Sequence, residues 1–332
     1  MDEGNDISLE DRIRGVIYGQ AVGDALGLGT EFLSREQVRS YYPQGLSRYC
    51  QIVRDGHRVR WPVGAWTDDT DQMLCILDSL LQKGQVDTLD IARRIHDWVR
   101  GGGAGVGETV LAAVSHPRFL EDPQLASREV WEKGGRDAAA NGAVMRSSIL
   151  GVWEFRDRDA VARNAAEVCR ITHHDPRCVG SCVALCLAIS SFLGGERDPF
   201  AAAAGAVQAA CSWDPRVADY FELAYSPDIG NLALDEPYRI GYTLKALGAG
   251  FWAVLHAGSF EEGLAAVIHQ GGDADTNGAV AGSLLGARFG FTGIPSHLVK
   301  GLHRRKGLEL RIAGLLPLLG AALPYTPKQS TT

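Results

Sequence analysis

The stretch GGDADTNGAVAGSLLGARFG, Gly271–Gly290, carries two patterns that together decide the fold. Its first half is acidic and opens a helix. Its second half is apolar, with Gly278, Gly282, Gly286 and Gly290 at every fourth position, along one helix face. Near the N-terminus the same spacing returns in Gly15, Gly19, Gly23 and Gly27. A glycine inside a helix costs about 1 kcal/mol relative to alanine, so such a run persists only where close backbone packing offsets it. Arg12, Arg14, Gln20 and Asp24 in the first segment and Arg288 in the second exclude a bilayer span. Both segments are expected as buried central helices of a soluble bundle.

The acidic half has a counterpart in WTDDTDQ, Trp66–Gln72. Thr67, Asp68, Asp69, Asp273, Asp275 and Thr276 each sit where an apolar helix begins. Taken singly, either cluster reads as an ordinary helix cap, since Thr and Asp are good N-caps and acids suit the positive end of a helix dipole. Taken together, four aspartates brought into one pocket repel one another and are tolerable when cations hold them. Neither cluster contains Cys or His, so the donors suit Mg²⁺, Mn²⁺ or Ca²⁺ rather than zinc or copper. Two cations balance four carboxylates. Asp71 reads as one more acid matched to the dipole, with support of the metal ligands from behind as the other reading.

Composition agrees with a helical protein. The chain has 332 residues, 45% hydrophobic and only 8% aromatic, enough for a large core of tightly packed helices. The net charge of −7 with scattered basic residues excludes a nucleic-acid-binding stripe. MDEGNDISLEDR lacks the basic start and apolar core of a signal peptide, so a cytoplasmic location and no membrane partner are expected. Seven cysteines without paired spacing read as free thiols, and Cys178, Cys182 and Cys186 as an apolar stripe in the core.

Apolar spacing predicts helices over about 12–27, 68–83, 88–100, 107–115, 142–154, 159–171, 178–193, 199–211, 216–224, 239–257, 260–269, 276–289, 295–300 and 308–318. The one extended piece is Ser47–Trp66, where Asp55-Gly56 suits a hairpin. No linker divides the chain. The expectation is an all-α, compact, multi-helix orthogonal bundle with a dinuclear metal site at helix N-termini and a minor hairpin. Residues 1–332 are expected to form a single domain, with a core from about 12 to 320 and flexible termini.

GVIYGQAVGDALGLGTEF, WTDDTDQ, GVGETVLAAV, NGAVMRSSILGV, ITHHDPRCVGSCVAL and the opening stretch occur in an order that resembles the ADP-ribosylglycohydrolase family. The resemblance spans roughly residues 12–290. It implies two Mg²⁺ or Mn²⁺ ions and cleavage of the link between ADP-ribose and a protein side chain, most often arginine, by a metal-activated water at the ribose anomeric carbon. The family's metal motifs fall on Thr67, Asp68, Asp69, Asp273, Asp275 and Thr276, with Asp69 also in a catalytic role. Its glutamate falls on Glu31, which would orient or deprotonate water. Its Thr-His histidine falls on His173, near the substrate.

The implied chemistry is physically coherent, because a ribose diol is a chelator for two hard cations and nearby carboxylates stabilise an oxocarbenium-like centre. The loop RGGGAGVGET, Arg100–Thr109, offers backbone N–H groups for a diphosphate at Gly105 and Gly107. Asn141 and Gly142, opening a helix, offer a second anion site, and Glu108 is the candidate substitute for an extra aspartate that some arginine-directed members carry in the Gly-rich loop and this chain lacks. Arg146 reads as a buried salt bridge beneath the loop ahead of a phosphate contact, and Trp66 as core or a base-stacking face. The segment Trp213–Tyr242 is placed to cover the mouth of the site. The expected partners are an ADP-ribosylated protein and the ADP-ribose product. Two other functions fit the same residues: hydrolysis of free ADP-ribose derivatives such as O-acyl-ADP-ribose, and a toxin-neutralising relative that binds an ADP-ribosyltransferase without catalysis.

Overall fold

Two antiparallel helices, α1 (Leu9–Gly27) and α13 (Ala274–Phe289), form the axis around which the other helices pack. The structure is a computed structural model that describes residues 7–320; the termini expected to be flexible lie largely outside the described residues. The glycines face each other in register. A Cβ on Gly15, Gly19 or Gly23 would stand 2.2, 2.1 or 1.9 Å from the carbonyl oxygen of Gly286, Gly282 or Gly278, and the reverse positions are equally tight. Backbone therefore meets backbone, the compensation expected for the glycine cost. Arg12, from α1, caps the far end of α13 by donating to the carbonyls of Ala287 and Arg288. This register sets the C-terminal end of α1 beside the N-terminal end of α13.

Around this pair stand α2 (Arg35–Tyr41), α3 (Asp68–Lys83), α4 (Thr88–Arg100), α5 (Glu108–Val114), α6 (Pro123–Lys133), α7 (Arg158–Cys169), α8 (Pro176–Leu193), α9 (Pro199–Ala210), α10 (Arg216–Tyr225), α11 (Thr243–His256), α12 (Phe260–Ile268), α14 (Ser296–Gly301) and α15 (Arg305–Gly320). Side-chain caps start many of them: Ser8, Asp87, Asp122, Asp157, Asp175, Asp198 and Ser259 each accept from a first-turn N–H. α8 is long and apolar enough to cross a membrane by length and composition, but 89% of it is buried inside the protein. Cys178, Cys182 and Cys186 lie on it, all fully buried and free, as the core reading expected.

The architecture is all-α, and the described residues contain no strand beyond the isolated bridge Ala140–Tyr242. The expected hairpin over Ser47–Trp66 is not formed. Arg58 draws that segment inward instead: its guanidinium is buried and donates to the carbonyls of Gly29 and Glu31 and to Asp55, leaving short 3₁₀ turns at Tyr49–Gln51 and Arg58–Arg60. The stretch 142–154 is likewise no α-helix. It runs as two 3₁₀ turns, Val144–Arg146 and Ser148–Gly151, in which the Ser147 hydroxyl bonds back to Ala143 and Gly151 lies against α8, where a Cβ would stand 2.7 Å from the Cys186 carbonyl oxygen. Helices α2 and α6 were not expected.

A candidate metal and substrate site

Thr67 and Asp273 occupy the N-cap positions of α3 and α13, yet neither side chain makes a capping bond. The capping reading of the acidic clusters therefore fails where it should be strongest. Their polar atoms turn to one another. The Thr67 hydroxyl lies 2.9 Å from Asp69 Oδ2, 3.3 Å from Asp275 Oδ2 and 2.9 Å from Asp24 Oδ1. Residues two hundred positions apart thus share one oxygen.

Asp24 is the member the sequence reading missed. It opens the last turn of α1 and is wholly buried, accepting from the backbone N–H and hydroxyl of both Thr67 and Thr70. It thereby supplies the cap that Thr67 does not. With the Thr67 proton directed to Asp24, the hydroxyl lone pairs face Asp69 and Asp275, an arrangement that a hard cation completes. Asp69 Oδ1 is buried without a partner, as a coordinating oxygen would be in the absence of its ion.

On the other side of the pocket, one carboxylate oxygen each from Glu31, Asp273 and Asp275 lie within 4.8 Å of one another, close enough to hold a cation. Two glycines make this approach possible. Gly271 and Gly272 both have positive φ, and a Cβ on either would stand 2.1 Å from the carbonyl oxygens of Leu33 and Leu234. Phe32 N–H donates to Gly272 and Gly272 N–H to Leu33, so the Glu31 strap is fastened to the start of α13. His57 Nε2 stands 2.6 Å from Glu31 Oε2 and orients that carboxylate.

Burial, and then mutual repulsion, raises the pKa of Asp68, Asp69 and Asp275 well above the carboxylate range, and burial raises that of Asp273 and Glu31. Burial also pushes Asp24 up to about 7 from 3.8, against the four hydrogen bonds it accepts. A folded pKa above the unfolded one means that the folded state holds a proton the unfolded chain releases. The metal-free protein is thus expected to be fully stabilised below about pH 4 by these groups and to lose that stability as pH rises towards about 7. In chelator, its thermal midpoint should be lower at about pH 8 than at about pH 5 by at least several degrees, and added Mg²⁺ should close the gap. A midpoint that climbed over that interval would contradict the buried-carboxylate account.

The remaining expected residues fall into two groups. Gly105 has positive φ and lies over the cluster, where a Cβ would stand 2.4 Å from Asp68 Oδ1; the amides from Ala104 to Gly107 have no backbone acceptor among the described residues. Gly142 faces His173 across a gap that leaves no room for a Cβ, 3.1 Å from the ring, and Asn141 Nδ2 donates to Asp273 Oδ2 at 2.7 Å, which ties Asn141 to the acids. Thr276 N–H donates to Asp275 Oδ1 at 2.9 Å. Glu108 is different: it is exposed on the first turn of α5 and makes no hydrogen bond or ion pair among the described residues. From the expected cover, Leu234 and Gly241 do reach the start of α13.

Arg146 corrects its expected salt bridge. It is fully buried, and its guanidinium donates to two neutral oxygens, Gln72 Oε1 and Thr172 Oγ1, both at 2.7 Å. Gln72 in turn donates to Asp68, and Thr172 meets His173 Nδ1 at 2.8 Å. Thr172 accepts from Arg146, and its hydroxyl proton has no acceptor but His173 Nδ1 among the described residues, which places the imidazole proton on Nε2. Burial and Arg146 push His173 down to about 3, so it is neutral. Its Nε2 is buried without a partner and lies against Gly142. Asp71 is also no mere dipole acid: it accepts from the indoles of Trp66 and Trp98.

The sequence profile of the ADP-ribosylglycohydrolases matches residues 5–322. The chain belongs to the ADP-ribosylglycohydrolase family. Its relatives in that family include the ADP-ribosyl-[dinitrogen reductase] glycohydrolase of Rhodospirillum rubrum, 28% identical over 94% of this chain and 98% of the relative. The ADP-ribosylarginine hydrolase Tri1 of Pseudomonas putida is 26% identical over 87% of this chain and 74% of its own length. A solved structure titled ADP-ribosylglycohydrolase-related protein complex superposes with a TM-score of 0.70 at 28% identity, covering 94% of this chain and 99% of that one. The all-α fold is thus that of an ADP-ribosylglycohydrolase, an enzyme of ADP-ribosyl bond hydrolysis.

Proposed function

We propose that the protein removes ADP-ribose from the arginine side chain of a modified protein, using two divalent cations, Mg²⁺ or Mn²⁺. The convergence of Asp69, Asp275 and Asp24 on the Thr67 hydroxyl, with Glu31 and Asp273 alongside, is the observation that carries this reading. The relatives named for arginine and for dinitrogen reductase support the acceptor. Thr67, Asp68, Asp69, Asp273, Asp275 and Thr276 are the residues that would hold the ions, which when bound supply positive charge at the ribose diol and beside C1.

The chain's own groups divide the remaining work. Glu31, kept basic by burial, takes a proton from the water that bonds to C1 as the bond from C1 to the guanidine nitrogen breaks. The linked guanidinium already carries its positive charge, so it leaves as a neutral guanidine and is reprotonated by solvent. The surrounding carboxylates stabilise the oxocarbenium-like charge at C1. The amides of the Gly105–Gly107 loop receive the diphosphate, and the His173 Nε2 proton and Gly142 receive the nucleoside end.

The test is incubation of an arginine-ADP-ribosylated protein with the enzyme and Mg²⁺, with and without chelator. Intact ADP-ribose is expected only with metal. Release of AMP would point to pyrophosphatase chemistry, and release from O-acyl-ADP-ribose alone would move the acceptor away from arginine.

A further inference from the structure

Beside Thr67 the start of α3 also faces away from the carboxylates, into a second cavity. Arg60, Trp61, Trp66, Thr67, Trp98 and the glycines at 101–103 line a pocket of about 420 Å³, and it continues into a cleft of about 710 Å³ floored by Leu74 and Leu302. Trp66, Asp71, Trp98, His303 and Arg304 belong to both, so the two form one trough. Asp71 pins the walls, accepting from the Trp66 indole at 2.8 Å and the Trp98 indole at 3.2 Å, and Gly103 lies against the Trp98 ring. These aromatic faces are built into the trough rather than loosely exposed.

Its charge runs against that of the molecule. The chain has 40 acidic and 33 basic residues, yet the rim of the cleft is the consecutive run His303, Arg304, Arg305 and Lys306. Arg304 has Asp71 at 3.4 Å and Arg311 has Asp78 at 2.7 Å. Arg305, Lys306 and the His303 ring have no hydrogen bond or ion pair among the described residues, and all three are exposed. No acid occupies the first turn of α15, and the nearest one on that helix, Glu309, bonds to Arg14 and Tyr18 and attracts Arg305 only at longer range. At the other end, Arg60 stacks on Trp61, 4.7 Å from the ring centroid. Unpaired cations at the rim of a Trp-walled trough that opens at Thr67 lack one thing, an anionic chain.

We propose that this trough docks an acidic segment of the modified polypeptide, holding its glutamates or aspartates at Arg305, Lys306 and Arg60 while the ADP-ribosylated arginine enters the carboxylate pocket. The proposal rests on the arginine-hydrolase reading above and adds to it the class of protein recognised. An acidic partner would otherwise be repelled by a molecule of net charge −7, so the trough confers both selection and steering. Free ADP-ribosyl-arginine carries no acidic segment to reach Arg305 and Lys306 and is indifferent to them.

Two synthetic peptides of equal length, each with one ADP-ribosylated arginine, decide the matter: one flanked by glutamates, the other by lysines. With Mg²⁺ and low salt, kcat/KM for the glutamate peptide should exceed that of its twin by about tenfold, with the contrast fading near 1 M salt. Arg305→Glu combined with Lys306→Glu should raise KM for the glutamate peptide about tenfold, leaving kcat and the turnover of free ADP-ribosyl-arginine unchanged. Wild-type kinetics in the double variant overturn the proposal, as does an equal loss on free ADP-ribosyl-arginine. If the wild-type enzyme leaves free ADP-ribosyl-arginine intact, the arginine reading falls by itself. Docking is then read from quenching of tryptophan fluorescence by the unmodified glutamate peptide, which should be lost in the double variant. An oligothymidylate of equal charge that binds more tightly than that peptide assigns the trough to nucleic acid and overturns the proposal.

Discussion

Replacing Asp275 by asparagine is expected to cut turnover on the order of a thousandfold, roughly 4 kcal/mol of transition-state stabilisation, while making the metal-free protein more stable. Asp275 is buried and loses charge through burial and the proximity of Glu31, Asp69 and Asp273. Asparagine keeps the shape. Its Oδ1 can still accept from the Thr276 N–H, now 2.9 Å from Asp275 Oδ1, and its amide can donate to the Thr67 hydroxyl. What it removes is a charge that only a cation makes favourable. In chelator at about pH 8 the variant should therefore melt above wild type, whereas Mn²⁺ should raise the midpoint of wild type far more than that of the variant. Asp24→Asn is a control with the opposite sign: Asp24 accepts four hydrogen bonds, so an amide there sets N–H against N–H and should lower stability with or without metal. An Asp275→Asn enzyme with wild-type rates and a wild-type response to Mn²⁺ would remove that residue from the metal site.

How much of this was legible in the sequence depended on distance along the chain. The glycine repeat and the two acidic clusters are local patterns with a period, and each announces its physics: backbone contact in one case, accumulated charge in the other. Asp24 gives no such signal, because its partners Thr67 and Thr70 lie at the start of another helix and a single aspartate inside an apolar glycine repeat reads only as evidence against a bilayer span. Arg58 and His57 were hidden for the same reason: the segment around Asp55-Gly56 has hairpin chemistry, and only the carbonyls of Gly29 and Glu31 explain why its arginine turns inward. Gly271 and Gly272 were visible as letters of a motif, but their necessity lies in the Leu33 and Leu234 carbonyls that would collide with a side chain. The 142–154 stretch misled because apolar spacing is common to α-helices and to successive 3₁₀ turns packed in a core.

The other large effect concerns the helix pair that carries these groups. Gly23→Ala adds one methyl group and would ordinarily strengthen a helix by about 1 kcal/mol. Here the new Cβ would stand 1.9 Å from the Gly278 carbonyl oxygen and 3.2 Å from the Ala279 nitrogen, both backbone, so no rotamer can relieve the contact. The helices must move apart, and three further glycine contacts in the same register open with them. The expected cost is about 4 kcal/mol, a large share of the roughly 5–15 kcal/mol that stabilises an ordinary domain. Gly205→Ala on α9 supplies the comparison, since its Cβ would meet only the tip of Arg158 at 4.0 Å; that variant should gain up to about 1 kcal/mol. Urea unfolding of the two proteins measures both changes, and the same chemical edit should give opposite signs. If Gly23→Ala unfolded at the wild-type midpoint, the contact between α1 and α13 would have to be looser than the structure places it. The site would share that looseness, because the register that presses Gly23 against Gly278 also sets Asp24 and Glu31 beside Asp273 and Asp275. A surviving fraction of folded Gly23→Ala should therefore bind Mn²⁺ more weakly than wild type, a loss that Gly205→Ala should not show.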